Sequence, residues 1–168
     1  MKDAGGNQAL NELESLSEQT IENLRRLTRA LRPIYLEDLG LVTALEMLTR
    51  ETRQVNGLEV KFDKQGTERR LAREAELALY RIAQESLNNV ARHAKARSAL
   101  VNILFGEKEI ILEVSDDGVG FQTPKSPTDF ASNGHFGLLG IHERAELIGA
   151  RLEVESTPGN GTRLKVRL

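Results

Sequence analysis

The sequence predicts an α+β fold: a two-layer α/β sandwich with a mixed sheet of about five strands, three helices on one face and a long leading helix. Three observations predict it. Apolar residues recur at helical spacing in some segments and at period two in others. Their order is helix, helix, strand, helix, strand, strand, loop, helix, strand, strand. Short turn-forming stretches, Gly106-Glu107-Lys108 and Pro158-Gly159-Asn160-Gly161, join two of the strand pairs and make them antiparallel neighbours.

The leading helix is expected over Ala9–Leu31. Leu10, Leu13, Leu16 or Ser17, Thr20, Leu24, Leu27 and Leu31 recur at intervals of three and four, and Glu12, Glu14, Glu18, Glu22, Arg25 and Arg29 fill the other faces. So narrow an apolar seam suits a helix that pairs with other helices, and Pro33 stops it. A second helix spans Leu41–Asn56, with Leu41, Ala44, Leu45, Leu48 and Val55 apolar and Gly57 as its stop. Leu58–Lys64 alternates and reads as a strand; Arg73–His93 is the third helix. Ser98–Phe105 and Ile110–Ser115 form a hairpin. Asp117–Gly134 has almost no apolar periodicity and reads as a long loop, of the kind that is functional or disordered. A short helix over Leu138–Ile148 ends at Gly149, and strands Arg151–Ser156 and Thr162–Leu168 close the chain. Two parts are expected, residues 1–33 and a globular domain over 34–168, and there are no internal repeats.

Composition narrows the chemistry. Apolar residues make up 39%, enough for a core, and charged residues 29% with a net charge of -2. No basic stripe is present, which argues against nucleic acid. Cysteine is absent, which removes disulfides and thiolate metal sites, and the three histidines have no metal-ligand spacing. No apolar run approaches the ~18 residues of a membrane span, and no signal-peptide pattern opens the chain, so a soluble chain is expected.

The third helix carries candidate chemistry. At about 100° per residue, Asn89 and Arg92 fall within about 40° of Glu85, while Leu79, Tyr80, Ala83, Leu87, Val90, Ala91 and Ala94 point the opposite way. Ile82 is the exception, nearer the polar side. An acid and an amide one turn apart can hold Mg²⁺ and its waters, and an arginine one turn on can meet phosphate oxygens. By itself such a face is more often simply solvated.

Two glycine-rich segments add to it. In Asp116-Asp117-Gly118-Val119-Gly120, the carboxylate at the strand end can accept an exocyclic amine such as that of adenine, and glycines let backbone approach a flat ring. Alone it reads first as an Asp-Gly turn. Gly134-His135-Phe136-Gly137-Leu138-Leu139-Gly140 opens a helix, where free backbone N–H groups suit phosphate, or forms a flexible loop capped by a helix. It matches neither the dinucleotide nor the Walker pattern. Gly159-Asn160-Gly161-Thr162 alone is a tight turn.

Taken together, the segments resemble the superfamily of gyrase, heat-shock-90, histidine-kinase and mismatch-repair ATPases (GHKL), whose fold is the Bergerat sandwich. Glu85-x-x-x-Asn89-x-x-Arg92-His93-Ala94 looks like its N box, Asp116-x-Gly118-x-Gly120 its G1 box, Gly137-Leu138-x-Gly140-Ile141 its G2 box, and Gly161-Thr162 its terminal Gly-Thr. A closer resemblance is to two-component sensor histidine kinases of the nitrate-sensor type. Leu31-Arg32-Pro33, Leu39-Gly40-Leu41, Ala44-Leu45, Ala83-Gln84-Glu85-Ser86-Leu87 and Gly140-Ile141-His142-Glu143-Arg144-Ala145 carry it.

The resemblance implies that Asp116 recognises adenine with support from the Thr162 hydroxyl, and that Asn89 ligates Mg²⁺. Glu85 would position metal-bound water or act as base. Arg92, His93 and Lys95 would face the phosphates, and Gly118, Gly120, Gly137, Leu138 and Gly140 would complete the nucleotide site. The loop from Asp117 to Phe136 would close as a lid. ATP and Mg²⁺ are the implied cofactors, and a response regulator and a dimerisation helix the implied partners. The full-length protein would be a homodimer. Residues 1–33 would be the second dimerisation helix and its linker. The location is expected to be cytoplasmic, with any membrane anchor elsewhere in the parent protein.

No acceptor-like Arg-Glu-Leu-His-Asp run occurs: His93 belongs to the N box, and His135 and His142 flank the G2 region. Gly5 and Gly6 stand where a hairpin turn or a cut end would be, so the sequence reads as the catalytic part of a kinase, a cut fragment or an unusual natural product. A stand-alone ATPase, a serine-directed anti-sigma-like kinase and a nucleotide-dead interaction module are the competing readings.

Overall fold

A computed structural model describes residues 34–123 and 136–168. The leading helix over Ala9–Leu31, the expected boundary at 33, His135 and most of the loop over Asp117–Gly134 lie outside the described residues.

The described elements are α1 (Ile34–Asn56), β1 (Glu59–Gly66), α2 (Arg73–Asn89) with a following π-helical turn (Val90–Ala94), β2 (Ser98–Phe105), β3 (Ile110–Asp116), α3 (Phe136–Leu147), β4 (Arg151–Ser156) and β5 (Thr162–Arg167). The sheet order is β1-β2-β3-β5-β4. β1 and β2 are parallel because α2 crosses between them, and the other three pairs are antiparallel. The helices lie on one face: α1 over β1, α2 over the central β3, α3 toward β4. The expected two-layer sandwich is the fold.

The core is set by strand alternation. Val101, Val114 and Leu164 share one cross-strand row with Val154, and Ile103, Leu112 and Val166 share the next with Leu152. Leu45, Leu79, Ile82, Leu87 and Ile141 descend onto these rows from the helices and are fully buried. The opposite face carries charge instead: Lys165 reaches Glu113 at 3.1 Å, and Arg163 the same carboxylate at 3.5 Å. Such solvated pairs contribute little stability each.

Five details differ from the sequence expectation. The helix expected from Leu41 is already formed at Ile34, the first described residue, and kinks at Gly40, whose φ of 84° only glycine adopts freely. The strand expected over 58–64 runs to Gly66, and the helix expected from Leu138 is already formed at Phe136. The third helix leaves α geometry at Val90 and finishes as the π-helical turn, capped by Lys95 in the left-handed region with φ 51°. Ile82, expected near the polar side, is completely buried because α3 packs on that side of α2.

α2 starts without a side-chain N-cap. Glu76 in the first turn instead ties down the segment ahead of the helix: its Oε1 accepts the Leu71 N–H at 3.0 Å and the Arg70 Nε–H at 2.9 Å, and its Oε2 accepts Arg70 Nη2–H at 3.0 Å. Glu76 is only 2% exposed, so the pairing offsets the desolvation of its carboxylate.

Candidate nucleotide site

The two apolar rows are followed, at the end of the sheet near the C-terminus of α2, by a polar one: Ala99, Asp116, Thr162 and Ser156 stand in register across β2, β3, β5 and β4. Side chains two residues apart on a strand share a face. Asp116 therefore points the way Leu112 and Val114 point, but beyond the core. There the fold leaves a cavity of about 410 Å³.

Asn89, Val90, His93 and Ala94 line the cavity from the α2 side, Asp116, Val119, Gly120 and Phe121 from the end of β3, Gly137, Leu138 and Ile141 from α3, and Thr162 and Leu164 from β5. The lining is apolar with a few convergent polar groups, the usual make-up of a small-molecule site.

Asp116 is fixed by the turn that follows it, for its Oδ1 accepts the Gly118 N–H at 2.7 Å. Burial pushes its carboxyl above the ordinary aspartate range, against the Gly118 amide; the charge of Asp117 adds to the rise, and the Thr162 amide opposes it. Asp117 turns the other way. Its Oδ1 accepts the Arg97 and Ser98 amides at 2.8 and 2.9 Å, and the Ser98 hydroxyl donates to Oδ2 at 3.0 Å. The Ser98 backbone bond first, then the Arg97 amide, the Ser98 hydroxyl and the Arg97 charge, hold the Asp117 carboxyl below its ordinary range. One aspartate faces the cavity and its neighbour clamps the start of β2.

Gly118 is buried, and Val119 donates its N–H to Ala94 O at 2.8 Å, tying the segment after β3 to the π-helical turn. Gly120 has φ 60°, and a Cβ there would strike the Thr157 carbonyl. At Gly137 an added Cβ would stand 2.8 Å from Glu85 Oε1, 3.1 Å from Asn89 Nδ2 and 3.2 Å from Asn89 Oδ1. The start of α3 thus rests on the acid–amide pair of α2.

The expected residues are not all equally placed. Asn89, His93, Asp116, Gly120, Gly137, Leu138 and Thr162 line the cavity. Glu85 stands half-buried beneath Gly137. Arg92 and Lys95 are exposed and outside the lining, and a Cβ on Gly140 would meet only the Arg144 side chain. The π-helical turn breaks the 100° phase that put Arg92 in line with Glu85, and His93, itself exposed, lines the cavity in its stead.

Sequence reasoning missed Ser156. Its hydroxyl donates to Gly161 O at 2.9 Å, accepts the Phe121 N–H at 2.9 Å and lies 3.1 Å from the Thr162 hydroxyl. Strand parity was the available signal, because Ser156 follows the inward Leu152 and Val154 at intervals of two.

Glu85 and Asn89 supply hard oxygen atoms, the donor type that suits Mg²⁺. Among the described residues no group of three or more histidines, cysteines or carboxylates could cage a metal. No described helix is long and apolar enough to cross a membrane.

Comparison with known proteins places the chain in a family. Residues 74–168 match the histidine kinase-, DNA gyrase B-, and HSP90-like ATPase family. The chain is 36% identical over 161 residues to a sensor-like histidine kinase of Chloroflexus aurantiacus, covering 94% of this chain and 27% of that protein. It is 33% identical over 150 residues to the oxygen sensor histidine kinase NreB of Staphylococcus carnosus (89% and 42%). With the histidine-protein kinase/phosphatase DegS of Brevibacillus brevis it shares 31% over 170 residues (99% and 42%). The chain thus spans less than half the length of these relatives. Among solved structures, the blue-light activated histidine kinase of Erythrobacter litoralis superposes with a TM-score of 0.64 at 22% identity, over 89% of this chain and 49% of that one. The histidine kinase AdeS of Acinetobacter baumannii gives 0.59 at 15%, over 96% and 82%, and both likenesses bear on the fold. The chain belongs to the histidine kinase-, DNA gyrase B- and HSP90-like ATPase family, and within it resembles the sensor histidine kinases.

Proposed function

We propose that this chain is the ATP-binding catalytic domain of a sensor histidine kinase. It would transfer the γ-phosphate of Mg-ATP to a histidine on a dimerisation helix, for relay to a response regulator. The observation that carries this reading is the convergence of Asn89, Asp116, Gly120, Gly137 and Thr162 on one cavity of about 410 Å³. In this reading the ionised Asp116 accepts an N–H of the adenine amine, held in place by the Gly118 amide. Gly120 and Phe121 bring backbone and ring to the base. Asn89 and Glu85, under the start of α3, face the phosphates, with His93 beside them and Arg92 outside the lining.

Asn89 would hold Mg²⁺, with Glu85 reaching it through water; the ion's contribution is neutralisation of phosphate charge. The remaining task of the protein is positioning. The γ-phosphorus to bridging-oxygen bond breaks, a bond from phosphorus to an imidazole nitrogen forms, and ADP leaves. The full-length protein would act in the cytoplasm as a homodimer.

A separate polypeptide carrying a sensor-kinase acceptor helix, mixed with this chain and labelled Mg-ATP, tests the proposal. Acid-labile, base-stable label on the helix is the expected result. Free phosphate alone would make the chain an ATPase, and acid-stable label would make it a hydroxyl-directed kinase; either outcome overturns the histidine assignment.

A further inference from the structure

We propose that Ser156 is a positioning residue that fixes the direction of the Thr162 hydroxyl and thereby sets the choice of base. The inference rests on reading the cavity as a nucleotide site. A serine hydroxyl has one proton and two lone pairs. The carbonyl oxygen of Gly161, 2.9 Å from Ser156 Oγ, can only accept, so the serine proton is spent there. The Phe121 N–H occupies one lone pair at 2.9 Å. Thr162 Oγ1, at 3.1 Å, must then donate its own proton to the second lone pair.

The hydroxyl of Thr162 consequently meets the cavity with lone pairs only. In the same cross-strand row stands Asp116, which when ionised also only accepts. This wall therefore suits an exocyclic amine, whose two N–H groups can serve both oxygens. It mismatches an exocyclic carbonyl, which brings a lone pair to a surface with no proton to give. Burying such a mismatch costs more than a good hydrogen bond contributes.

Ser156 is itself held. Its N–H donates to Thr123 Oγ1 at 3.2 Å, and the Thr123 hydroxyl donates to Ser156 O at 3.0 Å. With the Phe121 bond, these contacts fasten the segment after Gly120 to the end of β4 and hold the Ser156 backbone in place, while turning the serine proton elsewhere would forfeit its bond to the Gly161 carbonyl.

The test is calorimetric affinity for Mg-ATP and Mg-ITP, whose base carries a carbonyl where adenine has its amine. Wild type, Ser156→Ala, Ser156→Thr and Thr162→Val are compared, with thermal melting beside each titration. The preference for ATP over ITP is expected to shrink about tenfold in Ser156→Ala, because Thr162 becomes free to donate. It should return in Ser156→Thr, and shrink in Thr162→Val with no further change on adding Ser156→Ala. Parallel weakening of both nucleotides in Ser156→Ala, or an unchanged ratio in Thr162→Val, would overturn the inference even if one variant melts early. A folded wild type that binds neither nucleotide would instead remove the nucleotide reading on which it stands.

Discussion

The backbone of Gly137 lies so close to Glu85 that a Cβ would stand 2.8 Å from Glu85 Oε1. The atoms in its way are the ends of two flexible side chains, Glu85 and Asn89, and not backbone. Gly137→Ala should therefore fold with a melting temperature within a few degrees of wild type, yet lose about a hundredfold in phosphotransfer, because both groups must swing out of place. Melting and kinase assays on the same preparation check this; full activity in the variant would mean that the acid–amide pair does not position the phosphates. Gly120→Ala should behave oppositely and lose about 1–3 kcal/mol of stability in urea titrations, since its φ of 60° and the Thr157 carbonyl leave no room to yield.

Asp116 and Asp117 should give opposite pH dependences. The Asp116 carboxyl is raised, chiefly by burial, so its penalty is absent below about pH 4 and grows as pH rises through the raised native value. Asp116→Asn should accordingly gain stability relative to wild type as pH rises. The Asp117 carboxyl is lowered, first by the Ser98 amide, so its contribution is present above about pH 4 and lost as pH falls through the native value. Asp117→Asn should lose ground to wild type as pH rises. Urea denaturation between about pH 3 and 7 reads both slopes, and equal slopes would contradict the division of labour.

Arg70→Ala should cost about 1–3 kcal/mol although the arginine is mostly exposed, because the buried Glu76 carboxylate keeps only the Leu71 N–H among the partners described. A double-mutant cycle with Glu76→Gln isolates the coupling; additivity would show that the pair is incidental.

Ile82→Ala should cost about 2–5 kcal/mol, as deletion of a fully buried side chain at the α2–α3 contact. A loss under about 1 kcal/mol in urea would mean that α3 readily closes the gap or is not held there.

Much of this architecture is legible from residue spacing, and the failures have physical causes. Period two predicts the strands because alternate positions face the core, as Val101 and Ile103 or Leu112 and Val114 do. Helical phase identifies Glu85 and Asn89 as one face. It goes astray at Ile82 because a second helix covers that face, which no single-helix projection contains. It goes astray again at Arg92, because the last turn is π-helical and His93, not Arg92, lines the cavity. Asp116 is recognisable as the strand-end carboxylate by parity with Leu112 and Val114. The clamp made by Asp117 is not, since its partners at Arg97 and Ser98 are about twenty residues away. Ser156 carries no motif of its own and adjoins the turn-forming Pro158–Gly161, so only its strand parity with Leu152 and Val154 distinguishes it.

The central claim, that the cavity between α2, β3 and α3 takes the adenine of Mg-ATP against Asp116, is tested most directly by calorimetric titration of Mg-ATP into wild type and Asp116→Ala. The expected result is saturable binding to wild type that weakens at least tenfold in the variant, with the fold intact by circular dichroism. Equal affinity in the two proteins, or no binding by folded wild type, would contradict it.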